Sequence, residues 1–118
     1  MHELSLASAV IDTAVRHADG RRVTAVHLRV GHLRQVVPAS LLFYFEHVAR
    51  GTPCEDARLT FDEVPARMRC EGCDHGWVLD DVQFRCPACG SAAVEVVAGE
   101  EFEVDWISVE QLEESCTA

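Results

Sequence analysis

Four cysteines form two matched pairs, with two residues inside each pair and twelve residues between the pairs. The spacing C-x2-C-x12-C-x2-C is typical of a site in which four thiolates surround one Zn²⁺ ion, because each pair can form a tight turn that directs both sulfurs at the metal. Four thiolates leave no open coordination position, so we expect a structural and not a catalytic site. The predicted zinc ligands are Cys70, Cys73, Cys86 and Cys89.

Other kinds of site use similar cysteine turns. A rubredoxin-like centre holds iron with four thiolates, and the spacing does not exclude it. Two disulfides or a C-x-x-C redox motif are less favoured, because two redox motifs this close, without a β-α-β pattern around them, would be unusual. Asp74 follows the first pair where Gly90 follows the second, at a position where a left-handed conformation helps the turn. Asp tolerates that conformation better than most residues.

Composition restricts the classes of function. Of the 118 residues, 48% are hydrophobic, so one modest domain with a packed core is feasible, alone or with a small metal-stapled module. The formal net charge is −10. Because phosphate binding needs clustered Lys and Arg, we expect no nucleic-acid partner. The sequence has no phosphate-binding loop and no G-x-S-x-G motif, so we expect no enzymatic activity.

The amino-terminal segment lacks the features of a targeting signal. Residues 1–18 contain Glu3 and Asp12 and have no basic stretch before the apolar part, so we expect no signal peptide. No apolar run approaches the length of a membrane span, so we expect no membrane association. We therefore expect a cytoplasmic protein, whose reducing surroundings favour thiolate–metal bonds over disulfides. Cys54 and Cys116 are expected to be bystanders.

Hydrophobic periodicity predicts the elements that must position these residues. Apolar side chains recur at helical spacing in the first segment and then change to a period of two, which predicts a helix followed by a strand. Pro38 suits the first turn of a second helix. The predicted elements are a helix at 3–19, a strand at 22–30, a helix from Pro38 to Gly51, a strand at 57–64 and a strand at 102–109.

The order of these elements predicts an α+β fold. Two helices should pack on a three-stranded sheet, with a four-cysteine zinc module inserted in the last connection. We place the α+β domain at 1–65 and 99–109, the zinc-binding module at 66–98 and an acidic carboxy-terminal tail at 110–118. The apolar residues of the module form only a thin core, so zinc should supply much of its folding free energy.

The amino terminus offers a second set of metal ligands. The chain starts Met1-His2-Glu3, and the Met1 amine, the His2 amide and the His2 imidazole can form fused chelate rings. Such rings favour square-planar Ni²⁺ or Cu²⁺ over tetrahedral Zn²⁺, with the Glu3 amide or carboxylate as a fourth ligand. Taken alone this signal is weak, because a histidine at position 2 is usually incidental. The chain contains no lysine, so the Met1 amine is its only aliphatic amine.

Short motifs in a fixed order strengthen the metal-binding interpretation of the amino terminus. After Met-His-Glu-Leu-Ser-Leu come Val30-Gly31, Val37-Pro38, Phe43-Tyr44-Phe45, Gly51-Thr52, Cys70-x2-Cys73 and Cys86-Pro87-x-Cys89-Gly90. In this order they resemble the HypA/HybF family of hydrogenase nickel-insertion metallochaperones over nearly the whole chain. The most specific part is the Met-His-Glu start combined with the cysteine pairs. Asp74 is a departure, since the family commonly has Gly there.

The resemblance implies a function and a set of ligands. His2 would be the essential nickel ligand, the Met1 amine and the amides of His2 and Glu3 would complete a planar site, and the four cysteines would bind structural zinc. Ni²⁺ would be cargo, delivered during maturation of [NiFe] hydrogenase or of other nickel enzymes. The implied partners are a nickel-handling GTPase of the HypB type and the hydrogenase large subunit. The oligomeric state stays open, with a homodimer as one option.

Two rival functions are kept beside this one. The first is a zinc-ribbon interaction module without a nickel function, and the second is a rubredoxin-like electron carrier. The other histidines are expected to be surface or structural residues, although the one after the first cysteine pair could hydrogen-bond the cluster. These histidines are His17, His27, His32, His47 and His75.

Overall fold

A computed structural model describes residues 2–79 and 85–111 of the chain. Strands β2, β1 and β6 form one three-stranded sheet in that order, and β4, β3 and β5 form a second. The predicted α+β class is confirmed. Within the described range, neither helix has the length and apolar character needed to cross a membrane. The elements are α1 (His2–Ala18), β1 (Val23–Gly31), a 3-10 turn (His32–Arg34), α2 (Pro38–Ala49), β2 (Arg58–Val64), β3 (Arg67–Cys70), β4 (Gly76–Val78), β5 (Val94–Ala98) and β6 (Phe102–Val109).

The two helices pack against each other along faces that the sequence pattern largely predicts. Pro38 lies at the start of α2, where its missing N–H is not needed for an intrahelical bond. Leu42, which the periodicity places in the apolar stripe of α2, is 41% exposed. Each helix therefore buries one side only. The buried apolar residues are Ala7, Val10, Ile11, Ala14 and Ala18 of α1, and Leu41, Phe45 and Ala49 of α2.

Strand β1 is the central strand of the first sheet. Its buried and half-buried side chains alternate over most of its length, as the period of two predicts. The Glu110 N–H donates to the Arg22 carbonyl at one end of β1, and the Gly31 N–H donates to the Glu101 carbonyl at the other. Strand β6 therefore runs antiparallel to β1.

The chain divides into two compact units. The first contains the segment up to Leu28, Val36–Phe61 and the chain from Glu103 onward, and it holds both helices. The second contains Arg29–Gln35 and Asp62–Phe102, and it holds the four predicted zinc ligands. In this second unit β3 pairs antiparallel with both β4 and β5, a small sheet that the periodicity did not predict. The domain boundaries given above stay a prediction.

Three backbone segments of the second unit approach each other closely. The Gly31 N–H donates to the Glu101 carbonyl at 2.7 Å, and the Leu33 N–H donates to the Gly99 carbonyl at 2.8 Å. A Cβ atom on Gly31 would lie 2.0 Å from the Gly99 carbonyl oxygen, and one on Gly99 would lie 2.6 Å from the Ala66 Cα atom. Glycine is therefore required at 31 and 99 because no side chain fits there.

Replacing Gly31 with Ala should destabilise the protein, because backbone atoms occupy the space of the new methyl group. We expect a loss of about 3 kcal/mol, toward the upper end of the usual cost of overpacking. The measurement is the urea midpoint of unfolding. Gly76→Ala is the control: its Cβ would meet nothing closer than the Met68 carbonyl oxygen at 3.6 Å. If Gly31→Ala were as stable as Gly76→Ala, the close approach would not exist in solution.

Candidate metal centre

The four predicted cysteines converge in the second unit. Their sulfur atoms all lie within 4.8 Å of one another. The Cys70 sulfur lies 3.7 Å from that of Cys89, and the Cys73 sulfur lies 3.7 Å from that of Cys86. Cys70 and Cys86 are buried, whereas Cys73 and Cys89 are exposed, and all four are free thiols. The two pairs therefore face each other across a common centre.

These distances match a tetrahedron of sulfur around one metal ion. The edge of a regular tetrahedron is about 1.63 times the distance from its centre to a corner, so a metal–sulfur bond of about 2.3 Å gives edges of about 3.8 Å. A disulfide would require about 2.05 Å between two sulfurs. The residues present therefore fit a single four-coordinate ion, and the sulfur geometry suits zinc and iron equally.

The two cysteine turns share one pattern of backbone hydrogen bonds. In each turn the first cysteine donates its N–H to the carbonyl five residues later at 2.9 Å, and its own carbonyl accepts an N–H from the residue four positions later. That residue is Asp74 in the first turn and Gly90 in the second, with φ angles of 63° and 77°. Asp74 thus takes the left-handed conformation that Gly90 takes, and the first turn keeps the geometry of the second.

Backbone N–H groups also face the sulfurs. In both turns the N–H two residues after the first cysteine lies 3.3 Å from that cysteine's sulfur. The N–H of Cys73 lies 3.4 Å from the sulfur of Cys70. Such donors favour the thiolate over the thiol, and a thiolate is the form that binds a metal.

Cys86 and Cys73 differ in how readily their thiols ionise. Burial raises the pKa of the Cys86 thiol, but the surrounding N–H groups and neighbouring thiols together outweigh this effect and lower it to about 7. The N–H of His75 lowers the pKa of Cys73, but hydrogen bonds with the other thiols and burial raise it overall, to about 12. Cys86 is therefore ready to supply a thiolate near neutral pH. Metal binding must displace the proton from Cys73.

The amino-terminal residues differ in exposure. His2 is the first residue of α1, and its side chain is 54% exposed. Met1, the other predicted ligand there, lies outside the described residues. Glu3 is the one charged side chain that is buried among residues 2–79 and 85–111. Its Oε2 atom accepts the Val37 N–H at 3.2 Å and lies 3.7 Å from the His2 Nε2 atom.

The Glu3–Val37 hydrogen bond connects the first turn of α1 to the residue that caps α2. N–H groups at the start of a helix have no partner within the helix, and a carboxylate there is favoured by the helix dipole. This hydrogen bond is also the main cause that lowers the pKa of Glu3. Burial opposes the effect, and the nearby His2 adds to it. The carboxylate of Glu3 therefore has a structural partner 34 residues away along the chain.

The other histidines have local partners and do not join the four-cysteine group. The ring of His75 stacks on Trp77, with centroids 5.8 Å apart, and its backbone bonds to the cluster: the carbonyl accepts the Cys70 N–H, and the N–H donates to the Cys73 thiol. The remaining contacts support the structural interpretation. They are His17 Nδ1 to the Thr13 carbonyl at 2.9 Å, His27 Nδ1 to Thr60 Oγ1 at 2.6 Å, His32 Nε2 to Glu63 Oε1 at 3.2 Å, and His47 stacked on Phe43.

Two participants in these sites were not found from the sequence. The first is the backbone N–H of Val37, which has no sequence signature because any non-proline residue offers one. The second is Arg69, which pairs with the carboxylates of Asp74 and Glu95 beside the first cysteine turn. The sequence did contain a signal for Arg69, because an arginine stands directly before each cysteine pair.

A helix pair, a three-stranded sheet and a small unit with four converging thiols define a small α+β metal-binding protein. The family model described as "Hydrogenase/urease nickel incorporation, metallochaperone, hypA" matches residues 1–109. The chain therefore belongs to the HypA family of nickel-incorporation metallochaperones, and the resemblance inferred from the motifs is confirmed.

Individual relatives are similar to this chain over nearly its full length. A protein named hydrogenase maturation factor HypA from Roseiflexus sp. (strain RS-1) is 43% identical over 122 residues, covering 100% of this chain and 99% of the relative. The protein of the same name from Geobacter sulfurreducens is 43% identical over 110 residues, covering 93% and 100%. The solution structure of the Ni metallochaperone HypA from Helicobacter pylori has the same fold. Its TM-score is 0.68 at 22% identity, with 92% and 97% of the two chains covered.

Glu3→Ala should destabilise the helix pair, because the Val37 N–H loses its partner. The folded-state pKa of Glu3 is lowered, so the stabilisation is present above the unfolded value, about 4.3, and is lost as pH falls through the folded value. The difference in melting temperature between wild type and this variant should thus be full at pH 7 and shrink below about pH 4.

The control for this experiment is Glu46→Ala, which removes an exposed carboxylate from α2. It should leave the melting temperature near that of the wild type at every pH. A Glu3→Ala deficit that is the same at pH 3 and pH 7 would show that the ionised carboxylate contributes nothing to the helix pair.

Proposed function

We propose that this protein binds Ni²⁺ at its amino terminus and delivers it during maturation of [NiFe] hydrogenase, or of other nickel enzymes, without being an enzyme itself. The observation that carries the proposal is the exposed imidazole of His2 at the first residue of α1, beside a Glu3 that is anchored to Val37. Membership of a nickel-incorporation family supports it. An exposed terminal site suits a cargo ion that must be released.

The proposed nickel ligands are the Met1 amine, the imidazole and amide of His2, and the main-chain amide of Glu3. Nitrogen donors in fused chelate rings favour a square-planar ion such as Ni²⁺. The carboxylate of Glu3 is engaged with the Val37 N–H, so we assign it the role of holding the first turn of α1 in place. The Glu3 amide is then the simpler source of a fourth ligand.

The proposed ion of the four-cysteine centre is Zn²⁺. The tetrahedral spacing of the sulfurs supports it, and four protein donors leave no position for substrate, so the ion would supply folding free energy only. The zinc-binding module would span 66–98. The α+β domain at 1–65 and 99–109 has its own buried core and would carry the nickel.

The proposed partners are a nickel-handling GTPase of the HypB type and the hydrogenase large subunit, both in the cytoplasm. The relatives of this chain carry the name hydrogenase maturation factor, which supports a partner in hydrogenase maturation. A net charge of −10 disfavours nucleic acid as a competing partner.

His2→Ala should abolish nickel binding by the untagged protein and leave zinc in place. Nickel competes with protons for the imidazole and the amine, because both groups must be unprotonated to bind a metal. Nickel affinity, measured by isothermal titration calorimetry, should therefore fall as the pH is lowered. His47→Ala, at an exposed histidine of α2, is the matched control and should bind like the wild type.

Acetylation provides an independent test of the Met1 amine, because the chain contains no lysine that could react in its place. Acetylated protein should lose nickel as His2→Ala does. If both proteins kept the nickel stoichiometry and affinity of the wild type, the amino-terminal site would be wrong. A wild type that holds zinc and binds no nickel would favour the zinc-ribbon interaction module.

Metal analysis of fresh, reduced protein should find one zinc per chain, and Cys86→Ser should lower this value to near zero. Cys54→Ala is the control, because Cys54 is buried away from the four-cysteine group.

Chelation of zinc should melt the module while the helical circular dichroism persists. Visible colour and iron in place of zinc would favour the rubredoxin-like alternative, and loss of all helical signal would contradict the domain division.

A further inference from the structure

An arginine stands directly before each cysteine pair, in Arg69-Cys70-x2-Cys73-Asp74 and Arg85-Cys86-x2-Cys89-Gly90. The two turns have matching backbone hydrogen bonds and a left-handed residue at the same place, four residues after the first cysteine. The structure shows that each arginine side chain reaches that same residue of its own turn. The two segments are therefore a short structural repeat with an arginine as part of the repeating unit.

In the first turn the contact is ionic. The Nη1 atom of Arg69 donates to the carboxylate of Asp74, and the Nη2 atom donates to the carboxylate of Glu95. Glu95 lies opposite Arg69 in the pairing of β3 with β5. Arg69 thus ties the end of the first turn to the neighbouring strand of its sheet through two charge-assisted hydrogen bonds.

In the second turn the contact is made to the backbone. A guanidinium nitrogen of Arg85 donates to the Gly90 carbonyl at 3.1 Å. Gly90 has no side chain to pair with a cation, so a carbonyl takes the place that the Asp74 carboxylate occupies in the first turn. The two arginines close equivalent turns by different chemistry.

We propose that Arg69 and Arg85 are positioning residues of the four-cysteine centre, each holding its turn closed around the metal. The inference rests on the proposal that these cysteines bind zinc. A zinc ion can leave only when a turn opens and its thiolates separate, so a side chain that closes the turn slows release. Each arginine also directly precedes in sequence a ligand of a centre whose four thiolates and one Zn²⁺ would carry a net charge of about −2.

The proposal explains why Asp is accepted at position 74. A non-glycine residue in the left-handed region is disfavoured relative to Gly. The ion pair with Arg69 offsets this cost, and a glycine at this place would have no side chain with which to form it. The two turns should then respond differently to salt, since dissolved ions screen exposed charge pairs and affect a bond to a backbone carbonyl less.

The test is the rate at which zinc-loaded, full-length protein gives up zinc to a colorimetric chelator. Salt is raised from about 0.01 M to about 1 M, which shortens the screening length from about 30 Å to about 3 Å. Wild-type release should accelerate with salt. Arg69→Gln should release zinc about threefold faster at low salt, as expected for an exposed ion pair, and should have lost the salt dependence.

Two further variants separate the contacts. Asp74→Asn keeps a side chain that tolerates the left-handed conformation and removes one of the two carboxylates that pair with Arg69, so it should release zinc faster than the wild type but no faster than Arg69→Gln. The double variant should be no faster than Arg69→Gln alone. Arg85→Gln should release zinc faster than the wild type and keep the wild-type salt dependence. Arg67→Gln, at an exposed position of β3 two residues before Arg69, is the control and should behave as wild type.

The outcomes are distinct. If Arg69→Gln and Asp74→Asn kept the wild-type rate and salt dependence, the positioning role of Arg69 would be overturned while the zinc site stood. An unchanged rate in Arg85→Gln would overturn the role of Arg85. A freshly purified, reduced wild type without zinc would overturn both the inference and the zinc proposal on which it rests.

Discussion

The convergence of four sulfurs on one point is the constraint on which the second unit depends. Its buried residues among those described are few, and two of them, Cys70 and Cys86, are themselves members of the cluster. Several of its larger apolar side chains are exposed, among them Val78, Val96 and Val97. A unit with so little buried apolar area cannot offset the entropy of ordering its chain without a further crosslink. A metal held by four thiolates is such a crosslink, and the sulfur spacing fits it.

The two proposed metal sites have opposite chemistry. The four-cysteine centre is closed, because the protein supplies every donor and the surrounding N–H groups favour the thiolate form. The amino terminus is open, with an exposed imidazole on the first residue of a helix. A closed site retains its ion and stabilises structure, whereas an open terminal site exchanges its ion readily. Under the proposed function, the protein would keep a permanent metal in the closed site while it passes on Ni²⁺ from the open one.

The carboxylate of Glu3 is buried near the amino terminus because it has a hydrogen-bond partner there. A carboxylate is costly to bury unless hydrogen bonds compensate for its lost water. Glu3 has that compensation in the Val37 N–H, which belongs to the start of α2 and would otherwise lack a partner. The anchored side chain restricts the first turn of α1, and His2 is the adjacent residue. The position of His2, the proposed nickel ligand, is thus set by its buried neighbour.

Local sequence patterns were sufficient to predict the parts of the protein whose structure depends on interactions between residues close together in the chain. The apolar periods located α1 and β6 to within about one residue, and the spacing inside each cysteine pair specified its turn. The same reasoning missed β3, β4 and β5, because strands of three to five residues are too short to show a period of two. It also placed Leu42 in the apolar stripe of α2, although the structure leaves this residue 41% exposed.

The sequence by itself therefore determined the helices, the strands of the first sheet and the identity of the clustered cysteines, because short-range spacing encodes each of them, and its motifs, taken in order over nearly the whole chain, indicated the family. Only the tertiary structure decided the partner of Glu3, which lies 34 residues away, and the pairing of Arg69 with Glu95, which are 26 residues apart. It also decided that glycine is needed at 31, where the backbone of Gly99 fills the space of a side chain. Contacts of this kind depend on where distant segments meet, and no local pattern of residues records that.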